Sequence, residues 1–214
     1  MQNKKNKTRK LTQMALLTAI ILLMAFTPLG YLRTGVVEIT FIMIPVVVGA
    51  ILMGPGAGAI LGGVFGLTSF IQCFGMSALG AMLLQVNWFF TFVVCFVPRV
   101  LTGWLAGLIF KALYKVDKTR LVSFAVASLS GAVLNTIFFV GSLGLLFYNT
   151  VLGMAAESGI SVLAFLLSFV TLNSVLECAA CLIVGTAISK ALYKSFGSIK
   201  AVSYTHLLRQ SRPN

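Results

Sequence analysis

The side chains capable of chemistry in this chain are few, and most lie inside apolar segments. Arg99 stands about midway between Trp88 and Lys111, deep in the run Leu84–Phe110. Asn135 lies near the middle of the run Leu121–Phe147, and Asn173 and Glu177 lie four apart in the run Ile160–Ile188. Residues at that spacing share one face of a helix. Charges at bilayer depth cost roughly 3 kcal/mol or more each, so they mark a binding site or an internal pair. Arg33 and Glu38 are the only charges between Thr27 and Gly66, in a short segment joining two apolar runs. The chemistry open to this set is non-covalent recognition of a polar ligand. Two arrangements are compatible with it and with each other: Arg99 and Glu177 neutralise one another and pin two helices together, or Arg99 is partly available to an anionic ligand. Pro98 frees a backbone carbonyl nearby, because proline has no N–H to give.

Catalysis would need a nucleophile–base pair, a metal cluster or paired carboxylates. The one histidine, His206, lies in a tail set aside below, and outside two loops the acidic residues are Glu38 and Glu177. No enzyme, no metal and no cofactor of its own are expected. Cys178 and Cys181 make a CxxC, but it lies in the middle of an apolar run with no second pair of ligands, so packing is the better reading. With Cys73 and Cys95 they do not form a disulfide framework of the small secreted kind.

The elements that must position these residues follow from composition. Of 214 residues, 59% are hydrophobic and 9% charged, with a mean hydropathy of +1.03. A soluble domain carries about 25% charged residues, so this chain is built for lipid. The net charge of +12 is not a nucleic-acid footprint. Its basic residues cluster at Lys4–Lys10, Lys111–Arg120 and Lys190–Arg212, each outside an apolar run, which is the positive-inside pattern.

The sequence therefore predicts an all-α, polytopic membrane protein with six transmembrane helices in one bundle: Leu11–Thr27, Ile39–Met53, Gly56–Ile71, Leu84–Phe110, Leu121–Phe147 and Ile160–Ile188. The second and third are short. Both termini and the loop 111–120 are expected in the cytoplasm, and loops 28–38, 72–83 and 148–159 outside. At the outer helix ends Gln85, Asn87 and Asn149 are ordinary solvated polar residues, and Tyr31 and Trp88 fit an interfacial aromatic belt. Residues 1–10 read as a basic amino terminus, 11–195 as one membrane domain and 196–214 as a cytoplasmic tail. Within the tail, Val202-Ser-Tyr-Thr-His-Leu207 resembles one reading frame of a transposon adapter used in sequencing libraries. Residues from about 202 onward are therefore expected to be read-through, with the native end missing.

Small residues predict close packing. Gly54, Gly58, Gly62 and Gly66 repeat every four residues, a smooth ridge that lets another backbone approach. Ser123, Ala127, Gly131 and Asn135 make a similar face. Gly54-Pro-Gly-Ala-Gly has no following Gly-Lys-Ser/Thr, so it is no phosphate loop and the chain itself binds no ATP.

Taken together, Ala15-x-x-x-Ala19 in the first helix, the run TPLGY…IPVVVGAILMGPGAGAILGGVFGL and the stretch FVPRVLTGWLAGLIFKAL resemble an S component of energy-coupling factor (ECF) vitamin transporters. The likeness covers roughly residues 11–195 and is closest in appearance to the pantothenate-type branch. It implies a substrate-capture subunit in a bacterial cytoplasmic membrane that binds a vitamin, by first choice pantothenate, from outside. Such proteins join a transmembrane coupling protein and two cytoplasmic ATPases, which alone use ATP, and are thought to topple as they do so. The resemblance carries the coupling-protein contact to Ala15 and Ala19. It places the ligand among the first loop and the outward ends of the last three helices, with Arg33, Glu38, Arg99, Asn135, Asn173 and Glu177 as candidates. Another ligand (folate, cobalamin or a different vitamin) is the alternative within the same role. An autonomous secondary transporter is the rival outside it, but no internal repeat supports one. A pore-like structural protein fits the midplane polar residues poorly.

Overall fold

In hydrocarbon every backbone N–H and C=O has to be satisfied within the protein, so apolar segments of this length become helices. The computed structural model describes residues 2–27, 30–34, 37–117 and 121–194. The helices are α1 (Gln2–Phe26), α2 (Met43–Met53), α3 (Pro55–Gln72), α4 (Ala78–Val86), α5 (Trp88–Leu113), α6 (Leu121–Leu146), α7 (Tyr148–Glu157) and α8 (Val162–Ala180). After α8 the chain passes through a π-helical turn, Cys181–Gly185, into a last helical stretch, 186–194. Between α1 and α2, β1 (Tyr31–Thr34) and β2 (Val37–Thr40) pair antiparallel with Arg33 opposite Glu38. The adapter-like tail lies outside the described residues.

Among the described residues four helices are long and apolar enough to cross a membrane: Thr8–Phe26, Trp88–Leu113, Leu121–Leu146 and Ser174–Lys194. A pair bent by 90°, Tyr148–Glu157 with Val162–Ser168, makes a fifth if counted as one span. The chain is a helical membrane protein. The expected second span, α2, is only 11 residues long, about 16 Å. Its residues Met43 to Ile51 are all buried. A helix apolar all round belongs inside a protein, and α2 is enclosed by its neighbours.

Three expected loops are structured, and each departure has a local cause. The segment 37–40, Val-Glu-Ile-Thr, alternates apolar and polar at the period of a strand, so it joins the hairpin and α2 begins at Met43 instead of Ile39. The loop 72–83 contains the start of α4, whose first turn is capped by Ser77 Oγ accepting from the Gly80 N–H at 3.3 Å. The run Leu84–Phe110 breaks at Asn87, whose Oδ1 accepts from the N–H groups of Phe89 and Phe90 at 3.0 and 3.1 Å and so starts α5. The loop 148–159 is mostly α7. It ends at Gly159, held at φ +67°, where a side chain would be strained.

The glycine ridge is the seam of the bundle. A methyl group on Gly58 would strike the carbonyl of Gly103, and one on Gly103 would strike the carbonyl of Gly58. One turn along, a methyl on Gly62 would strike the carbonyl of Arg99. Beyond it, one on Gly66 would lie 2.8 Å from Phe96 Cα. Helices α3 and α5 therefore touch backbone to backbone over three turns. Gly54 is the positive-φ (+98°) corner between α2 and α3, and the contact runs on past it, since a methyl on Gly107 of α5 would meet the Pro55 and Gly54 backbone. The second small-residue face packs as expected. Ser123, Ala127, Gly131 and Asn135 are all buried, and Gly131 receives the side chain of Val47 from α2. The first turn of α6 is capped by Asp117, whose Oδ2 accepts from the Ser123 N–H and hydroxyl at 2.7 and 2.8 Å.

Candidate functional site

Arg99 is 8% exposed, near the middle of α5. Pro98 has no N–H, so the carbonyl four residues back, at Val94, is released from the helix ladder. Arg99 takes it: Nη1 donates to the Val94 carbonyl at 2.7 Å. The guanidinium carbon lies 4.8 Å from the ring centre of Phe139 on α6 and 5.6 Å from that of Phe65 on α3. Each such contact is worth roughly 0.5–2 kcal/mol to a desolvated cation. Arg99 Nε has no hydrogen-bond partner among the described residues.

Asn135, 7% exposed, stands one helical turn before Phe139 on the same face of α6. Its Oδ1 is likewise buried without a partner. A cation lying over Phe139 and an acceptor one turn along the same helix are thus both buried, each with an atom that has no hydrogen-bond partner among the described residues. Orphaned groups of this kind cost about 1–3 kcal/mol apiece unless something else satisfies them. A small molecule with an anionic group and an N–H or O–H donor would satisfy both.

Glu177, 5% exposed on α8, does not pair with Arg99 among the described residues. It accepts the backbone N–H of Thr40 at 2.9 Å, at the end of β2. No direct ion pair between the two is formed among the described residues; the carboxylate is engaged with the hairpin. Helices α6 and α8 are joined beside it by Thr136 Oγ1 and Ser174 Oγ at 2.8 Å. On the far edge, Gln72 Nε2 at the end of α3 donates to the Ala25 carbonyl at the end of α1.

The structure thus brings Arg99, Asn135 and Glu177 into the bundle interior. Arg33 and Glu38 face one another in register across the hairpin and Asn173 lies on α8, but the side chains of all three are outside the described residues. Ala15 and Ala19 are exposed on α1. The buried face of α1 is Leu17, Ile21 and Ala25; two residues correspond to about 200° of rotation, which puts both alanines on the opposite side. Sequence reasoning missed Thr40, Phe65 and Phe139. Of these only Phe139 carried a signal, its four-residue spacing from Asn135. A cleft of about 270 Å³ opens between the α4–α5 and α6–α7 junctions, walled by Asn87, Phe90, Phe147 and Asn149 among others. Phe90 precedes Arg99 by about 13 Å along the helix axis, so this cleft lies toward the α5 start and not at the arginine. Among the described residues no group of three or more His, Cys, Asp or Glu side chains is placed to hold a metal.

Residues 9–189 match the family described as the ECF transporter, substrate-specific component. The chain belongs to that family. Such a component works with the other parts of an ECF module, and the family is one of transporter subunits, not enzymes. The chain is 30% identical over 202 residues to the pantothenate transporter PanT of Leuconostoc mesenteroides, covering 87% of this chain and 93% of that one. It is 29% identical over 171 residues to the pantothenic acid transporter PanT of Lactococcus lactis subsp. cremoris, covering 74% and 80%.

Proposed function

We propose that this S component captures pantothenate outside a bacterial cytoplasmic membrane and passes it inward with a transmembrane coupling protein and two ATPases. The observation that carries the reading is Arg99: a buried guanidinium in no ion pair among the described residues, whose Nε, like the buried Asn135 Oδ1 on the facing α6, has no hydrogen-bond partner among them. Pantothenate offers a carboxylate to the first and hydroxyl or amide donors to the second. Both PanT relatives support the choice of ligand by name. Arg33, Glu38, Asn173 and Glu177 complete the proposed pocket, with the hairpin as its outer wall.

In this reading residues 11–195 form one membrane domain that crosses the bilayer six times, with α2 and α3 as the shielded pair and both termini in the cytoplasm. ATP is bound by the partners only, and the chain needs no cofactor. Equilibrium binding of labelled pantothenate to the purified full chain, alongside a panel of other vitamins, tests the ligand. Saturable binding of pantothenate without any ATPase partner is the expected result. Saturable binding of another vitamin and none of pantothenate would replace the ligand and keep the role.

The exposed alanine pair separates capture from delivery. Leucine at both Ala15 and Ala19 is expected to leave pantothenate affinity within about twofold, since these positions face away from the bundle, and to reduce ATP-dependent uptake at least tenfold. Uptake at the wild-type rate by the double variant would remove α1 from the coupling contact.

A further inference from the structure

We propose that Cys73 and Cys95 form an oxidation site: a thiol pair that a small-molecule disulfide converts into an intramolecular bridge between α3 and α5. Cys73 caps the end of α3 and Cys95 lies on α5, yet their sulfurs are 3.7 Å apart. Both side chains are buried, at 3% and 5% exposure, and neither is in a disulfide. A disulfide needs the sulfurs at about 2.05 Å and the Cα atoms within roughly 4.4–6.8 Å. The glycine seam holds the two helices backbone to backbone near Cys95: a methyl on Gly66 would lie 3.0 Å from the Cys95 carbonyl oxygen. Side-chain rotation then covers most of the remaining distance. Cys178 and Cys181 offer a contrast, since they sit on one helix and make no sulfur–sulfur contact among the described residues.

The route in is through the turn that follows Cys73, where Phe74 and Met76 are exposed. Opening of that turn presents Cys73 first. Its thiol loses a proton to solvent, and the thiolate attacks one sulfur of the small disulfide and expels one thiolate. The Cys95 thiol, deprotonated in turn, attacks the Cys73 sulfur of the mixed disulfide and expels the second. Two protein thiols are oxidised and one small disulfide is reduced to two thiols. The bridge lies one helical turn from Arg99, and Gly80 of α4 rests against the Cys73 sulfur, 2.6 Å from where its methyl would be. Oxidation therefore clamps together α3, the wall that bears the arginine and the seat of α4. The inference rests on this geometry alone and stands apart from the choice of ligand.

The test uses the full chain in lipid nanodiscs, treated with uncharged 2-hydroxyethyl disulfide, denatured, blocked with N-ethylmaleimide and digested for peptide mass spectrometry without reductant. A Cys73–Cys95 cross-linked peptide lacking two hydrogens is expected in most molecules, with Cys178 and Cys181 alkylated. Cys95→Ser is expected to stop Cys73 at the mixed disulfide, and Cys178→Ser with Cys181→Ser to leave the bridge intact. Full alkylation of Cys73 and Cys95 after oxidant would overturn the proposal. So would a bridge formed only between two molecules, seen as a dimer on a non-reducing gel.

Discussion

Arg99→Ala is expected to weaken pantothenate binding between about thirtyfold and a few thousandfold, the range set by roughly 2–5 kcal/mol for truncating one partner of a buried charge pair. Three contacts hold the guanidinium in place without any ligand: the Val94 carbonyl and the two rings of Phe65 and Phe139. The alanine variant leaves that carbonyl unsatisfied, a loss of about 1–3 kcal/mol in stability, so a folded and monodisperse sample has to be demonstrated beside the affinity. Arg99→Lys separates charge from shape. Lysine keeps the positive charge but not the planar fork that grips a carboxylate with two parallel bonds, so it should recover only part of the lost affinity. Wild-type affinity in a folded Arg99→Ala protein would take Arg99 out of the site and leave the polar interior without a ligand role.

The largest effect on the fold itself is expected at Gly58 and Gly62. Alanine at either position drives a methyl into a backbone carbonyl of α5, at Gly103 or at Arg99. Main chain cannot swing aside as a long side chain can, so the helices must separate. Overpacking of this kind costs about 1–3 kcal/mol, sometimes more. Each variant should show a lowered unfolding temperature and a smaller monodisperse fraction, and Gly62→Ala should also weaken ligand binding, because its clash falls on the arginine's own residue. Gly56→Ala is the control: it is on the same helix, with nothing within 4 Å of its added carbon. That change should be neutral or gain up to about 1 kcal/mol from helix propensity. Unfolding temperatures for Gly58→Ala and Gly62→Ala equal to that of Gly56→Ala would show that the seam tolerates separation.

Much of this architecture was legible because lipid leaves few choices. The fifth expected segment ends one residue from the observed Leu146, and the glycine ridge announced the tightest helix contact through spacing alone. Pro98 likewise foretold a free carbonyl, though not that Arg99 itself would occupy it. The short elements were harder. α4 and α7 are apolar pieces of 9 and 10 residues, next to longer apolar runs, so hydropathy merged one into its neighbour and left the other as a loop. The break at Asn87 turns on a single side-chain cap, a signal that any asparagine in a loop also gives. The hairpin was hidden for another reason: its second strand is four residues of alternation running straight into an apolar helix. For the site, residue type found the polar groups but not their partners. Nothing in the spacing of Thr40 and Glu177, 137 positions apart, shows that one accepts the other's N–H.

The contact between Gly62 and the carbonyl of Arg99 joins two things that proteins often keep apart. Elements that hold a ligand are usually free to relax around it, whereas here the cationic residue of the proposed site is held through its own main chain in a backbone-to-backbone contact. Helices that touch through glycine have no side chains between them to absorb a displacement, so a shift of α3 is passed directly to the backbone of α5. If Arg99 holds an anion as proposed, its release falls to the opposite side: the hairpin, tied to Glu177 through the Thr40 N–H, and α8, which runs on into a π-helical turn.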